Sequence, residues 1–393
     1  MAANRVILKH GNKKTVLRAM MTASSATIGD VAARTGLTFA TVSHHVADLQ
    51  TAGLIRPMGV MSSSGGRKPV AYAANPDGRL FIAIEVRVQS IVVAIMDWQG
   101  QLRDALTQSF PHGHAPEDAL TFAQHAVNTL VARNSWDSGK IGGVGVSIPG
   151  GIHYDDGLVG TPPNMPHWRN VPFQRMVQDA WEVPVQIDKS AYAAAYGELH
   201  HGVAQGVQNL LSVMVDAGIG TGLVLNGQIF RGAHGGAGEM GHMFMGGRTR
   251  CNCGQTGCLE TVASGLAILD RLHDAGQSQT LDHLMAHTHR VDPVEAPIFS
   301  QAGAALGVAV ANLCNVINPD MVVIGGGIGA LEDYFTSVRQ TARDHMVQEY
   351  AHRVRIEQTQ LQGLAGVMGA GAMARQAFIE DIEGIADQTE TSN

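Results

Sequence analysis

Three of the four cysteines of this chain lie within eight residues, as Cys251-Asn-Cys253-Gly-Gln-Thr-Gly-Cys258, and His242 stands nine residues before the first of them. Three thiolates and one imidazole form the four-donor set that a structural Zn²⁺ takes in a closed tetrahedral site. Gly254 and Gly257 relieve the short links between the cysteines, so the loop can wrap one ion. A closed site holds a loop still and leaves no position for a reacting water. A disulfide is the other reading of these residues, and it requires an oxidising compartment. Cys314, in an apolar helical stretch, reads as a small core residue.

The elements that must position this loop follow an α/β pattern from Arg79 onward. Leu80–Val86 and Ser90–Gly100 read as strands, a helix follows around Pro116–Arg133, and Ile141–Gly151 is a buried-strand run ending in Pro149-Gly150-Gly151. A comparable set recurs: Asn209–Val215 leads into the glycines at 218, 220 and 222, and Asp320–Ile324 feeds Gly325-Gly326-Gly327. Two such sets predict two related lobes with a cleft between them.

Residues 1–78 read differently. A helix over 12–23 places Val16, Leu17, Met20 and Met21 on one face; Thr27 caps a second helix over 28–35; Gly36 turns the chain; a third helix runs from Thr38 to Gly53. That is a helix-turn-helix plan. Its last helix is expected to expose Thr38, Thr41, Ser43, His44 and His45 toward base edges or phosphates. Two short strands around a Gly/Ser tip carrying Arg67 and Lys68 complete a wing suited to phosphates or a minor groove. Charge agrees with this division. Residues 1–78 hold nine Lys+Arg against three acids, or +6, and the remainder is 18 minus 31, or −13. A basic head on an acidic body points to double-stranded DNA as the partner of the head alone.

Gly238-Glu239-Met-Gly-His242, followed by the cysteine loop and Leu259-Glu260, resembles the signature of the ROK family of repressors, open reading frames and sugar kinases, whose body has the actin/hexokinase-like fold. The resemblance extends over nearly the whole chain. Pro163-Asn164-Met-Pro-His-Trp168 resembles the family's segment at the sugar cleft, and Asn318-Pro319-Asp320 with its triple glycine resembles the adenosine-side turn. A winged head joined to such a body is the layout of the family's repressors. The resemblance implies a winged helix-turn-helix over 1–78 and a two-lobed body over 79–393. Lobe one takes about 79–188 with a C-terminal helix about 370–390, and lobe two takes about 189–369. It further implies that Glu239, His242 and Glu260 bind sugar hydroxyls, with Asn164, Gly150, Gly151, Lys189 and Ser190 also in the pocket. Carboxylates suit that task, because each oxygen accepts hydrogen bonds from vicinal hydroxyls.

Two departures set the chain apart from the family's kinases. Their phosphate loop reads Asp-x-Gly-Gly-Thr, and here Glu85-Val86-Arg87-Val88-Gln89 puts side chains where a triphosphate would approach. Their catalytic base is an aspartate, and an ungapped alignment of Ile187-Asp188-Lys189-Ser190-Ala191 puts Ser190 there; only a two-residue slide would bring Asp188 to the position. No catalytic residue is assigned. The expected function is a sugar-responsive repressor of a carbohydrate operon, acting as a homodimer or tetramer on a two-fold operator. The alternative is an ATP-dependent ROK sugar kinase with a regulatory DNA-binding head. Met1–Lys14 lacks an apolar core for a signal peptide, and no stretch approaches roughly 20 uninterrupted apolar residues. A cytoplasmic protein with no membrane partner is expected.

Overall fold

The structure, a computed structural model, describes residues 2–60, 69–110, 113–162, 165–286 and 293–382. The chain opens with α1 (Ala2–Met21), which buries Val16, Leu17 and Met20. This helix begins ten residues before the stretch expected from its apolar face. Gly11 costs a helix only about 1 kcal/mol relative to alanine, too little to end one. After β1 (Ala26–Thr27), α2 (Ile28–Thr35) starts at a capping box. The Asp30 amide donates to Thr27 Oγ1 at 3.2 Å, and the Thr27 amide donates to the Asp30 carboxylate at 2.9 Å.

Gly36, at φ +70°, ends α2, and Thr38 caps α3 (Phe39–Thr51). Helix α3 turns Val42, His45, Val46 and Leu49 inward at i, i+3, i+4 and i+7. His45 is therefore core-facing, 4% exposed, and cannot reach a base edge. The expected exposure of His45 fails because positions 42, 46 and 49 fix the buried face and 45 falls on it. Strands β2 (Ile55–Val60) and β3 (Val70–Ala74) pair antiparallel, and β3 also pairs with β1. Arg67 and Lys68, in the segment between β2 and β3, lie outside the described residues.

The body opens with the antiparallel meander β4 (Leu80–Val86), β5 (Ser90–Asp97) and β6 (Leu102–Ser109). Helix α4 (Pro116–Arg133) leads to β7 (Ile141–Ile148), which runs parallel to β4. A small hairpin, β8 (Ile152–His153) and β9 (Leu158–Val159), and α5 (Phe173–Trp181) precede β10 (Val185–Lys189), parallel to β7. The sheet order is β10-β7-β4-β5-β6. Strand β4 lies at its centre and is buried along its whole length, as a strand covered on both faces requires.

Helix α6 (Ser190–His200) carries the chain to a second five-stranded sheet. Its hairpins β11 (Leu210–Val215), β12 (Ile219–Leu225) and β13 (Gln228–Ile229) precede the helices α7 (Glu260–Ala263), α8 (Gly265–Asp274), α9 (Leu281–Ala286) and α10 (Glu295–Ile317). Then come β14 (Met321–Gly325), α11 (Glu332–His345), α12 (Gln348–Ala351) and β15 (Arg355–Gln358), giving the order β13-β12-β11-β14-β15. By length and composition α10 could cross a membrane, yet it packs on α11 and buries Phe299, Leu306 and Val310 in the core of this lobe.

The last helix, α13 (Ala365–Glu380), returns to the first sheet and packs along α6. Gly197 of α6 and Gly369 of α13 bring the two backbones into contact, and a Cβ on either would overlap the other helix. The head shares this end of the body. Its core is continuous with Phe81, Trp98, Phe378 and Ile379, and Lys14 Nζ lies 2.6 Å from Glu380 Oε2 at the tip of α13.

Candidate functional site

The parallel pair β7–β10 places Ile148 opposite Lys189, so the Pro149-Gly150-Gly151 turn and Lys189-Ser190 leave the sheet at the same edge. Gly150 adopts φ +88° and lies against Pro162, where a Cβ would come within 2.7 Å; Gly151 borders open space. At this edge Asp188, 2% exposed, is the hub. Its Oδ1 accepts from the Tyr154 hydroxyl at 2.6 Å and from the Lys189 amide at 2.9 Å, and its Oδ2 accepts from the Arg231 guanidinium. Burial and the neighbouring Asp188 charge push the Tyr154 phenol up, so it stays a donor.

Lys189 turns away from Asp188 and pairs with Glu239, Nζ to Oε1 at 2.7 Å, with its ammonium 5.2 Å from the centre of the Tyr192 ring. Tyr192 in turn donates to the Ala237 carbonyl at 2.6 Å, which fastens the loop leading to Glu239. Ser190 is half-buried at the first position of α6. Asn164 lies outside the described residues.

From Glu239 a single turn leads to the cysteine loop. The His242 amide donates to the Glu239 carbonyl at 3.1 Å. The donor atoms of His242, Cys251, Cys253 and Cys258 all lie within 4.8 Å of one another. A tetrahedral ion with Zn–S of about 2.3 Å and Zn–N of about 2.0 Å sets S···S edges of about 3.8 Å and S···N edges of about 3.5 Å. Cys253 Sγ to Cys258 Sγ is 3.7 Å and Cys251 Sγ to His242 Nδ1 is 3.6 Å, so the donor set fits a metal ion. Cysteine binds a metal as the thiolate, so uptake of an ion here would release protons. Gly257, at φ +72°, closes the loop where a Cβ would meet the Gly246 carbonyl at 2.7 Å.

Glu260 joins this loop to the second sheet. Its Oε1 accepts from the Ile219 amide at 2.9 Å, and its Oε2 lies 3.9 Å from His242 Nδ1 and 3.8 Å from Cys251 Sγ. The sequence-predicted residues thus fall into two groups, Lys189 with Glu239 and His242 with Glu260 and the cysteines, joined through the Met240–His242 turn. Tyr154 and Arg231 are additions. Each is a lone polar residue in a loop, with no spacing or pattern that marks it.

The segment Glu85–Gln89, aligned with the phosphate loop of the family's kinases, is tied to the N-terminus of α13 by its own side chains. Arg87 Nη2 donates to Glu85 Oε2 at 2.7 Å and to the Gly363 carbonyl at 2.6 Å, while the Glu85 carboxylate accepts from the Val367 amide in the first turn of α13. A helix N-terminus is a ready anion site, and here a carboxylate already holds it. Burial pushes the Glu85 carboxyl up, with Arg87 opposing. Across from it, Asp216 Oδ1 accepts from the Gly327 amide at 2.7 Å, closing the second glycine turn onto the third.

In the head, Thr38 and Thr41 bond one another, Oγ1 to Oγ1 at 2.9 Å, at the start of α3. His44 is exposed, with Nε2 3.7 Å from Asp48, and Ser43 is half-buried. Phe39, beside Thr38, is 62% exposed and carries no hydrogen-bonding group that would mark it in the sequence.

Residues 81–377 match the sequence profile of the ROK family. The chain belongs to the ROK family. It is 29% identical over 387 residues to the xylose repressor of Caldicellulosiruptor bescii, an alignment covering 94% of this chain and 96% of that one. A glucokinase of Halalkalibacterium halodurans is 30% identical over 319 residues, 76% of this chain and 96% of that one. Among solved structures, a ROK family transcriptional regulator described as a homologue of the E. coli Mlc protein superposes with a TM-score of 0.82 at 24% identity, covering 96% of this chain and 98% of that one. The body is accordingly the mixed α/β, actin-like fold of ROK proteins.

Proposed function

We propose that this protein is a sugar-responsive transcriptional repressor of a carbohydrate operon, with residues 1–78 as a winged helix-turn-helix that reads DNA and residues 79–393 as a two-lobed sugar-binding body. One observation carries the non-enzymatic half. The Glu85–Arg87 pair stands at the N-terminus of α13, on the segment aligned with the kinases' phosphate loop, and would fill the place a nucleotide's phosphates need. A carboxylate there repels a triphosphate, and Arg87 is committed to protein acceptors. Asp188 is fastened to Tyr154 and Arg231, and Ser190 stands at the family's base position in the ungapped alignment, which supports the same reading, since a serine hydroxyl cannot serve as that base.

The sugar would lie between the β7–β10 edge and the loop carrying Glu239 and His242, with Glu239, Lys189, Ser190, Gly150 and Gly151 facing it. Glu260 would act through His242, given its bond to the Ile219 amide. A structural Zn²⁺ on His242, Cys251, Cys253 and Cys258 would fix that loop, in a cytoplasmic setting where thiolates stay reduced. Thr38, Thr41, Ser43, His44 and Phe39 on α3, with Arg67 and Lys68, would meet the operator, and a homodimer would present two heads to its two halves. A gel-shift titration against the protein's own promoter region, with and without a panel of pentoses, hexoses and amino sugars, tests this. Retarded DNA released by one sugar is expected. Sugar-dependent ADP release at enzymatic rates that Asp188→Ala abolishes would instead establish the kinase.

A further inference from the structure

Between α6, α13 and the β5–β6 hairpin, beside the head, lies an open-mouthed cavity of about 440 Å³. It shares no residue with the Asp188–Glu239 cluster. Gln99, Gln101, His200, His201, Gln205 and Arg375 line it, with Met368 as the one apolar side chain. All six polar groups can donate a hydrogen bond and none is a carboxylate. Arg375 Nε donates to the Trp98 carbonyl at 2.8 Å, and its Nη2 has only the Met21 sulfur at 4.0 Å, a weak acceptor. Among the described residues no carboxylate forms an ion pair with this guanidinium; Asp97 pairs with Arg103 instead, at 3.3 Å. The Nε2 atom of His201 is buried without a partner. Arg375 thus shares one hollow with two imidazoles, and the carboxylate whose charge it feels, Asp97, is bonded to Arg103.

We propose that this cavity is a second small-molecule site, taking the phosphate monoester of a small polyol. The phosphate would sit on Arg375 and His201, and the hydroxyls would sit on the amides of Gln99, Gln101 and Gln205. A guanidinium between two imidazoles matches a dianion better than a neutral sugar, because charge-assisted donors bind phosphate oxygens most strongly. Burial holds His200 and His201 down to about 4, with Arg375 and, for His201, its neighbour His200 adding to it, so both imidazoles would meet the ligand neutral and donate through one N–H each. The volume exceeds what a bare phosphate needs, and the three neutral amides suit hydroxyls. The site also touches the head twice: Gln99 Nε2 donates to the Ala74 carbonyl at the end of β3, at 3.2 Å, and Arg375 reaches Met21 at the end of α1. A ligand that recruits Gln99 and Arg375 alters both contacts.

Calorimetry on the full-length protein with glycerol 3-phosphate, inorganic phosphate and glycerol tests the assignment without any DNA. The ester is expected to bind more tightly than inorganic phosphate, and glycerol not at all. Gln101→Glu with Gln205→Glu, at two exposed lining positions, should weaken ester binding at least tenfold, and so should Arg375→Gln. Lys189→Ala in the cleft should leave it unchanged. Amide exchange in α1 and β3 should change on addition of the ester. Absence of binding at millimolar ester overturns the site, as does binding that Lys189→Ala abolishes and the double glutamate variant spares. Equal affinity for inorganic phosphate overturns the polyol assignment.

Discussion

A buried carboxylate is stable only while its oxygens are satisfied, and Asp188 is held by three donors from three separate segments. Tyr154→Phe removes one of them without creating a cavity, so urea denaturation should show a loss of about 1–3 kcal/mol. The cysteine loop behaves differently, because its four donors converge on one point that a metal ion would fill. Elemental analysis should find about one zinc per chain in the wild type and none in Cys258→Ser, with a lower melting temperature for the variant. His200 and His201 set a pH dependence. Each is held near 4 in the folded chain, below its ordinary value of 6.5, first by burial and then by neighbouring positive charge. The unfolded chain therefore binds more protons between those values, and this stability, fully present above about 6.5, is lost as pH falls toward 4. Melting scans from pH 7 to pH 4 should slope less steeply in His200→Gln/His201→Gln than in the wild type.

Helix α13 links the first sheet, α6 and the head. Its first turn holds Glu85, its middle packs on α6, and its end carries Phe378 and Glu380 to the head. Two kinds of contact hold the head there, and their sizes differ. The pairs of Lys14 and Arg18 with Glu380 are partly exposed, and such pairs contribute about 0–1 kcal/mol. Phe378 is buried edge-on against Phe81 and Trp98, with ring centroids 5.7 Å and 5.5 Å apart, and truncating a core phenylalanine costs about 3–5 kcal/mol. Glu380→Ala should therefore leave global stability within about 1 kcal/mol of wild type, while Phe378→Ala should lower it several-fold more and speed amide exchange in α1. Equal effects of the two substitutions on denaturation midpoints would show that charge, not the aromatic seam, seats the head.

At the scale of the molecule, the proposed switch needs the cleft and the head to prefer different arrangements of one body. Closure on a sugar would move the loop carrying Glu239 and His242 relative to the β7–β10 edge, and α13 provides a continuous helix from that region to Lys14 and Arg18. Such couplings amount to about 1–3 kcal/mol, or roughly 5–150-fold in affinity. Fluorescence anisotropy of labelled operator DNA should show a change of that size on saturation with the inducing sugar. Reciprocity demands an equal change in sugar affinity when operator is bound; a sugar that binds equally in both states would refute the coupling.

Local chemistry carried much of this into the sequence. The Thr27–Asp30 capping box and Gly36 set the bounds of α2 residue for residue, and the cysteine spacing specified the loop, because caps, turns and chelating loops depend on neighbours a few positions away. Periodicity was less sufficient. It marked the apolar face of α3, on which position 45 falls although its residue is a histidine, and it missed the start of α1, where Gly11 and the polar stretch Asn12-Lys13-Lys14 separate the apolar residues on either side. Glu85, Arg87, Lys189 and Ser190 were visible as departures from a kinase pattern, yet Val367 and Glu239, the partners of Glu85 and Lys189, and Tyr154 and Arg231, the partners of the adjacent Asp188, come from segments far off in the chain. Whether an ionisable side chain is free or committed depends on which strand ends and helix termini converge on it, and only the tertiary fold decides that.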